Sequence, residues 1–359
     1  MNSVVFSFFS GAGFLDLGFE KSGFEVVFVN EIDKSFMSAY QHSRQVMGIP
    51  YPKYGYHEDS IDQFLNDNGE HLLKENVNKE KKSGKLVGFI GGPPCPDFSV
   101  GGKNKGKDGE NGKLSKTYID CIKKFQPDWF IFENVKGLWR TKKHREFYDG
   151  LKTELLAEGY VLQDRLINSL EYGVPQDRDR IILFGCKADI VKNKSAFPWE
   201  SHMKYSKEDI SSYDWPDRNP FENQPTIPTG VPKELTVQHW FDKNDVPNHP
   251  NAEAHFTPRA GLAKFLVIDE GDTSKKSYKR LHRFRYSPTA AYGNNEVHLH
   301  PFKARRLSAA EALSIQSLPK EFELPQTMTL SAMFKTIGNG VPFLFSYGIA
   351  STIKDYLEE

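Results

Sequence analysis

The stretch VVFSFFSGAGFLDLGF, Val4–Phe19, passes from strand to turn to helix. Val4–Phe9 is apolar, β-branched and aromatic, the composition of a buried strand. A glycine turn follows, with Gly11, Gly13 and Gly18 spaced G-x-G-x-x-x-x-G rather than in the dinucleotide pattern G-x-G-x-x-G. A helix-like stretch then runs to about Ser22. Parallel α/β sheets open this way, and the glycines let a ligand approach the backbone closely.

Outward from this opening the alternation repeats. Val26–Asn30 is a second strand, Lys34–Val46 a helix, Leu86–Ile90 a strand, Ser115–Phe125 a helix and Trp129–Glu133 a strand. Thr141–Glu158 carries Phe147, Leu151, Leu155 and Leu156 on one helical face. Val161–Ile167 and Ile181–Phe184 read as further strands, and the lysine-rich Asn66–Lys85 as an exposed excursion between strands. The alternation predicts an α/β fold with a mostly parallel sheet wrapped by helices. Residues 193–258 are dense in Pro, Asn, Asp and Trp with little periodicity, which predicts a second, irregular domain. Helical pattern returns at Ser308–Ser317, where Ser308 and Glu311 form a capping box, and again over Pro342–Leu357.

A chain of 359 residues has room for two domains. Its 38% hydrophobic and 26% charged residues are those of a globular protein, and no apolar run is long enough to span a bilayer. No basic residue precedes the first apolar run, so it reads as a strand and not a signal peptide. Cys95, Cys121 and Cys186 contain no C-x-x-C pair, which points to neither a disulfide framework nor a zinc site, and the expected location is the cytoplasm. Net charge is zero, with 47 basic and 47 acidic residues, but the cations are clustered. KKSYKRLHRFR, Lys275–Arg285, holds six Lys/Arg and no acid, and KGLWRTKKHR, Lys136–Arg145, holds five and no acid. Such patches with interleaved aromatics suit a phosphate backbone, although each alone also fits a solvated surface.

Candidate chemistry lies at the strand ends. VFVNEID places Glu31 where an acid can accept both hydroxyls of a ribose, and Asp59 falls where a third strand would end. Either acid alone is equally an ordinary surface residue. The order of glycine turn, acid and acid favours a nucleoside cofactor. GGPPCPDFSVGGKNKGK, Gly91–Lys107, follows the strand at Leu86. Pro93, Pro94 and Pro96 restrict the backbone around Cys95, which suits a nucleophilic thiolate better than a structural cysteine. Glu133 in ENV ends another strand and points to the same crevice, where it can act as an acid or hydrogen-bond partner. In QDRDR, Gln176–Arg180, Arg178 and Arg180 share one side if the chain is extended, and a salt-bridged turn is the alternative.

Taken together, these blocks closely resemble the DNA (cytosine-5) methyltransferases of bacterial restriction-modification type. FSGAGFLDLGF, GGPPCPDFS, ENV, Gln176-x-Arg178-x-Arg180, RRLSAAEALSIQSLP (Arg305–Pro319) and IGNGVP (Ile337–Pro342) stand in the family's order. Phe14 stands where most members carry Gly, Pro96 where they carry Gln, and Gly340 where a small side chain is common. The resemblance implies a Rossmann-like methyltransferase sheet, with a catalytic domain at 1–191 completed by 304–359 and a smaller, irregular target-recognition domain at 192–303. It implies S-adenosyl-L-methionine as cofactor, leaving as S-adenosyl-L-homocysteine. Phe9, Ser10, Gly11, Ala12, Gly13, Glu31, Ile32, Asp59, Leu114 and Asn339 would form its site. Cys95, Glu133, Arg178 and Arg180 would be catalytic, Ser287-Pro-Thr289 would lie in a loop that contacts the DNA backbone, and GGKNKGK would close as a lid. The partners implied are double-stranded DNA and, functionally, a cognate restriction endonuclease. A monomer at the nucleoid is expected, with neither membrane nor metal involved. The rival readings are an RNA cytosine-5 methyltransferase of the same build and a catalytically idle DNA-binding module.

Overall fold

The computed structural model describes residues 2–94, 110–191, 194–258, 261–275, 277–289, 292 and 297–359. The chain opens with β1 (Ser3–Phe8), α1 (Phe14–Lys21), β2 (Glu25–Asn30), α2 (Lys34–Val46) and the two-residue β3 (Tyr56–His57). Next come α3 (Asp67–Lys82), β4 (Leu86–Gly91), α4 (Glu110–Phe125), β5 (Trp129–Val135), α5 (Gly137–Arg140) and α6 (Lys142–Ala157). The strands β6 (Tyr160–Asn168), β7 (Gln176–Asp177) and β8 (Asp179–Lys187) follow. All but β7 join one seven-stranded sheet in the order β3-β2-β1-β4-β5-β8-β6.

Strands β1 to β5 are parallel, and every residue of β1 is buried, as a strand covered on both faces requires. The expected mostly parallel sheet ends at β5. Strand β8 runs antiparallel to both β5 and β6. From β1 the chain first builds outward to β3 and then returns to place β4 on the other side. The strand order therefore reverses between β1 and β4, where open α/β sheets bind ligands.

Two helical expectations change. Asn66–Lys85 is not an exposed excursion, because α3 buries Leu73 and Val77 against the sheet. On α6 the inward face is His144, Tyr148, Leu151 and Leu155, whereas Leu156 is exposed. Tyr148 rather than Phe147 is the buried aromatic of this face, and its hydroxyl donates to Asp164.

Beyond β8 the chain forms short pieces: α7 (Ala188–Val191), α8 (Lys207–Ser212), α9 (Val237–Lys243), α10 (Leu262–Phe265), β9 (Tyr278–Arg280), β10 (Ser287–Pro288) and β11 (Val297–Leu299). Phe197 and Trp199 pack on the main sheet with Phe184 and Tyr356. The helices α11 (Ala309–Ile315), α12 (Leu330–Asn339) and α13 (Phe343–Glu358) follow. Ser308 caps α11 with Glu311 in the expected box. Helix α13 packs on α1, where the Ser346 hydroxyl donates to the carbonyl of Leu15.

Candidate active site

A cavity of about 650 Å³ opens at the C-terminal ends of β1, β2, β4 and β5. Its first wall is the glycine turn. Phe9 takes a left-handed φ of 54°, Gly11 one of 58° and Gly13 one of 80°. The Gly13 amide closes the turn on the Ser10 carbonyl at 2.8 Å. Phe9, Ser10, Gly11 and Ala12 line the cavity. Gly13 does not. A Cβ there would lie 2.5 Å from the Tyr40 ring and 2.7 Å from Arg44, so its glycine serves the packing beneath the turn.

The second wall comes from β2 and the segment after β3. Glu31, Ile32 and Asp59 all line the cavity. Glu31 accepts from the Gly11 amide at 2.9 Å and from the Asp33 amide at 2.8 Å, which fixes its carboxylate between the turn and α2. Burial pushes its pKa up, and those two amides oppose the shift. Asp59 is exposed, and Ile32, also on the cavity wall, is 61% exposed. Leu114 of α4 and Asn339 at the end of α12 complete this side.

At the inner end stand Gly92, Pro93, Pro94 and Glu133. A Cβ on Gly92 would lie 2.7 Å from the Glu133 carboxylate, so the chain leading to Cys95 passes directly over that acid. Cys95 itself, Pro96 and the GGKNKGK segment lie outside the described residues. The antiparallel register pairs Glu133 with Ile182 and Val135 with Arg180, so Arg180 is the diagonal neighbour of Glu133. Arg180 Nε meets Glu133 Oε1 at 2.7 Å. Burial drives the Glu133 pKa up, and the charges of Arg180 and Arg178 pull against it. Arg178 is fully buried and does not line the cavity. Its Nη2 donates to the Gly338 carbonyl at 2.9 Å and bends toward that of Asn339 at 3.4 Å. Burial and the Arg180 charge push Arg178 well below its ordinary pKa, with Glu133 opposing.

Two polar atoms in the cavity wall are buried without a partner among the described residues: Ser10 Oγ on the turn and Asn134 Nδ2 beside Glu133. They sit at opposite ends of the same space. The lining residues not anticipated include Asp33, Phe36, Ser60, Ile61, Lys335 and Thr336. Asp33 had a readable signal, being an N-cap residue ahead of Ser35 and Phe36, whose amides it accepts. Lys335 and Thr336 precede IGNGVP on α12 and carry no signal of their own.

The basic stretches are partly structural. Arg280 is buried, and its guanidinium donates to the carbonyls of Ile268, His300, Lys303 and Phe265. Arg283 forks onto Glu270. Lys136 pairs with Asp179, and Arg145 lies 3.6 Å from the Trp139 ring centroid. Arg140, Lys142 and Lys275 remain exposed. Ser287–Pro288 pairs in parallel with Gln176–Asp177, and Thr289 Oγ1 donates to the Asp177 carbonyl at 2.7 Å, so this loop is pinned to the arginine strand.

Sheet order and cavity together define a Rossmann-like α/β fold with its site at the strand ends. The fold is shared with an E. coli prophage-encoded protein assigned as a DNA modification methyltransferase, at TM-score 0.69, 20% identity, 99% coverage of this chain and 100% of that one. It is also shared with a mutant of Spodoptera frugiperda DNMT2, at TM-score 0.60, 17% identity and coverages of 99% and 100%. The chain belongs to the C-5 cytosine-specific DNA methylase family, whose model matches residues 4–355. It is 62% identical over 356 residues to the Type II methyltransferase M.NmeDI of Neisseria meningitidis serogroup C, covering 99% of this chain and 84% of that protein. It is 29% identical to M.FnuDI of Fusobacterium nucleatum, with coverages of 99% and 95%. This protein is accordingly an enzyme, a DNA (cytosine-5) methyltransferase.

Proposed function

We propose that the chain methylates carbon 5 of a cytosine swung out of double-stranded DNA, with S-adenosyl-L-methionine as donor, as the modification arm of a restriction-modification system. What supports this most is the single cavity that joins the glycine turn, Glu31 and Asp59 to Gly92, Pro94 and Glu133. The residues fit such a cofactor. Glu31 is buried and fixed where a ribose would reach it, Asp59 is free to accept from an adenine amino group, and the hydroxyl of Ser10 lacks a partner among the described residues. Phe9, Gly11, Ala12, Ile32, Leu114 and Asn339 would enclose the remainder. The bound cofactor supplies an electrophilic methyl group.

The protein's part is to make a poor carbon nucleophile reactive. Cys95, delivered by the Pro93–Pro94 segment, would add as thiolate to carbon 6 of the base, which leaves carbon 5 enamine-like. That addition puts negative charge on the ring. Glu133, whose carboxyl is held toward its protonated form by burial, would donate to ring nitrogen 3. Arg180 sets the orientation of that carboxyl, and Arg178 ties the arginine strand to the 338–339 backbone. After transfer the carbon-5 proton leaves to water and the thiol is eliminated. The base has to leave the stack first, at a cost of a few kcal/mol. We assign residues 1–191 and 304–359 to catalysis and 192–303 to target recognition, with the protein acting as a monomer.

The test is a trapping experiment. Duplex DNA bearing 5-fluorocytosine at the recognised site, incubated with protein and cofactor, is expected to give an adduct that survives denaturant, and Cys95→Ser is expected to give none. Wild-type protein that methylates without ever forming the adduct would refute the role of Cys95. Parallel assays on genomic DNA and tRNA are expected to show label in DNA only.

A further inference from the structure

We propose that Asp16, buried beneath the glycine turn, lets the site distinguish the cationic sulfonium of the cofactor from its neutral demethylated product, which makes it a specificity-determining residue for cofactor exchange. This rests on the cofactor reading given above. Asp16 is fully buried on the first turn of α1, and the residues around it, Ala12, Phe14 and Leu15, line the cavity. Its two oxygens accept from Ser7 Oγ of β1 at 2.9 Å and from Tyr40 Oη of α2 at 3.0 Å. Both contacts are donors, the arrangement that suits the anion. Arg44 of α2 is the cation of the cluster, and it is already matched: Nε lies 2.9 Å from Glu20 of α1, and Nη2 donates to the Gly13 carbonyl at 2.7 Å. The remaining titratable groups facing the cluster are the Tyr56 hydroxyl of β3 and Lys21 of α1, an exposed cation whose charge acts on Glu20. Among the buried groups, two carboxylates stand against one guanidinium, and Lys21 is exposed to solvent, where its charge is screened, so one negative charge is left unmatched under the turn. A buried charge acts on its neighbours through low dielectric, so a cation in the cavity is favoured over a neutral analogue of the same shape.

Burial raises the Asp16 pKa to about 7, against the opposing charge of Arg44. Burial also raises that of Glu20, again with Arg44 opposing. The uncancelled charge is therefore present above neutrality and lost below it. The sign follows: preference for the sulfonium grows as pH rises through 7, and by linkage the bound sulfonium favours ionised Asp16 by the same factor.

Isothermal titration of the full-length protein with S-adenosylmethionine and, separately, S-adenosylhomocysteine, from about pH 5.5 to about pH 8.5, reads the effect. The ratio of product Kd to cofactor Kd is expected to rise about three- to tenfold across this range. In Asp16→Asn the rise should vanish. The ligands' own amino groups titrate in both proteins, so the difference between them isolates the residue. Tyr40→Phe removes one donor to the anion and should move the midpoint to higher pH, a second reading should the first variant be unstable. If both ligands bind wild type with a flat ratio, or if the rise persists in Asp16→Asn, this inference is wrong and the cofactor reading stands. If neither ligand binds, both fall.

Discussion

Glu133 is shaped by its neighbours more than by its own strand. Burial favours its protonated form, and Arg180 at 2.7 Å favours the anion, so the carboxyl is held between the two. An acid that donates while charge develops on a ring needs this balance. Glu133→Gln keeps the shape and a donor but loses the proton. It is expected to lower single-turnover methylation about 10²- to 10³-fold, with duplex affinity by fluorescence anisotropy changed no more than about twofold. Equal losses in rate and affinity would instead mark Glu133 as structural. Arg178→Lys should behave differently. Arg178 is fully buried and an ammonium is more strongly hydrated than a guanidinium, so protein stability falls along with rate.

At the scale of elements, the contact between the glycine turn and the end of α12 accounts for two departures from the family pattern. Phe14 is buried on the first turn of α1, edge-on to Phe322, and a Cβ on Gly340 would sit 2.1 Å from its ring. The large residue on one side is thus accommodated by the absent side chain on the other. Gly340→Ala should cost about 1–3 kcal/mol in urea unfolding by overpacking. Combined with Phe14→Gly, the two changes should be less than additive in a double-mutant cycle. This pairing was hidden in the sequence, which showed both residues but no route between positions so far apart. The same limit applied to the arginines. Alternation put Arg178 and Arg180 on one side, but only the antiparallel register of β8 against β5 gives Arg180 to Glu133, while Arg178, just ahead of β8, turns to the end of α12. The glycine turn, Glu31, the capping box at Ser308 and the strand leading to Pro94 were legible because each is coded by its immediate neighbours. Lys335, Thr336 and the inward face of α6 were not, because tertiary packing decides them.

For the molecule as a whole, zero net charge conceals a split between structural and exposed cations. Arg280 and Arg283 are consumed by carbonyls and by Glu270, while Arg140, Lys142 and Lys275 face solvent. Duplex affinity should still fall steeply with salt, about 40-fold from about 50 to about 200 mM if roughly three phosphates are neutralised. A flat dependence would show that the exposed cations do not meet the backbone. Acid should act on stability through His298, which is buried and pushed down to about 3. Its folded pKa lies below the unfolded value, so the unfolded chain binds the proton first, and stability present near neutrality is lost as pH falls. The loss should approach ~2 kcal/mol at pH 5, read as a drop in thermal midpoint that His298→Gln reduces.

The packing of α13 on α1 joins the carbonyl of Leu15 to the hydroxyl of Ser346 across 331 residues of chain. The wall at Lys335–Val341 faces the glycine turn across a similar separation. A nascent chain emerging from the ribosome would therefore carry the first half of this cavity long before the second half exists. Fragments that stop short of α12 should be unable to hold a methyl donor however well their central sheet has formed, so every molecule competent to modify the host chromosome has been translated past that helix.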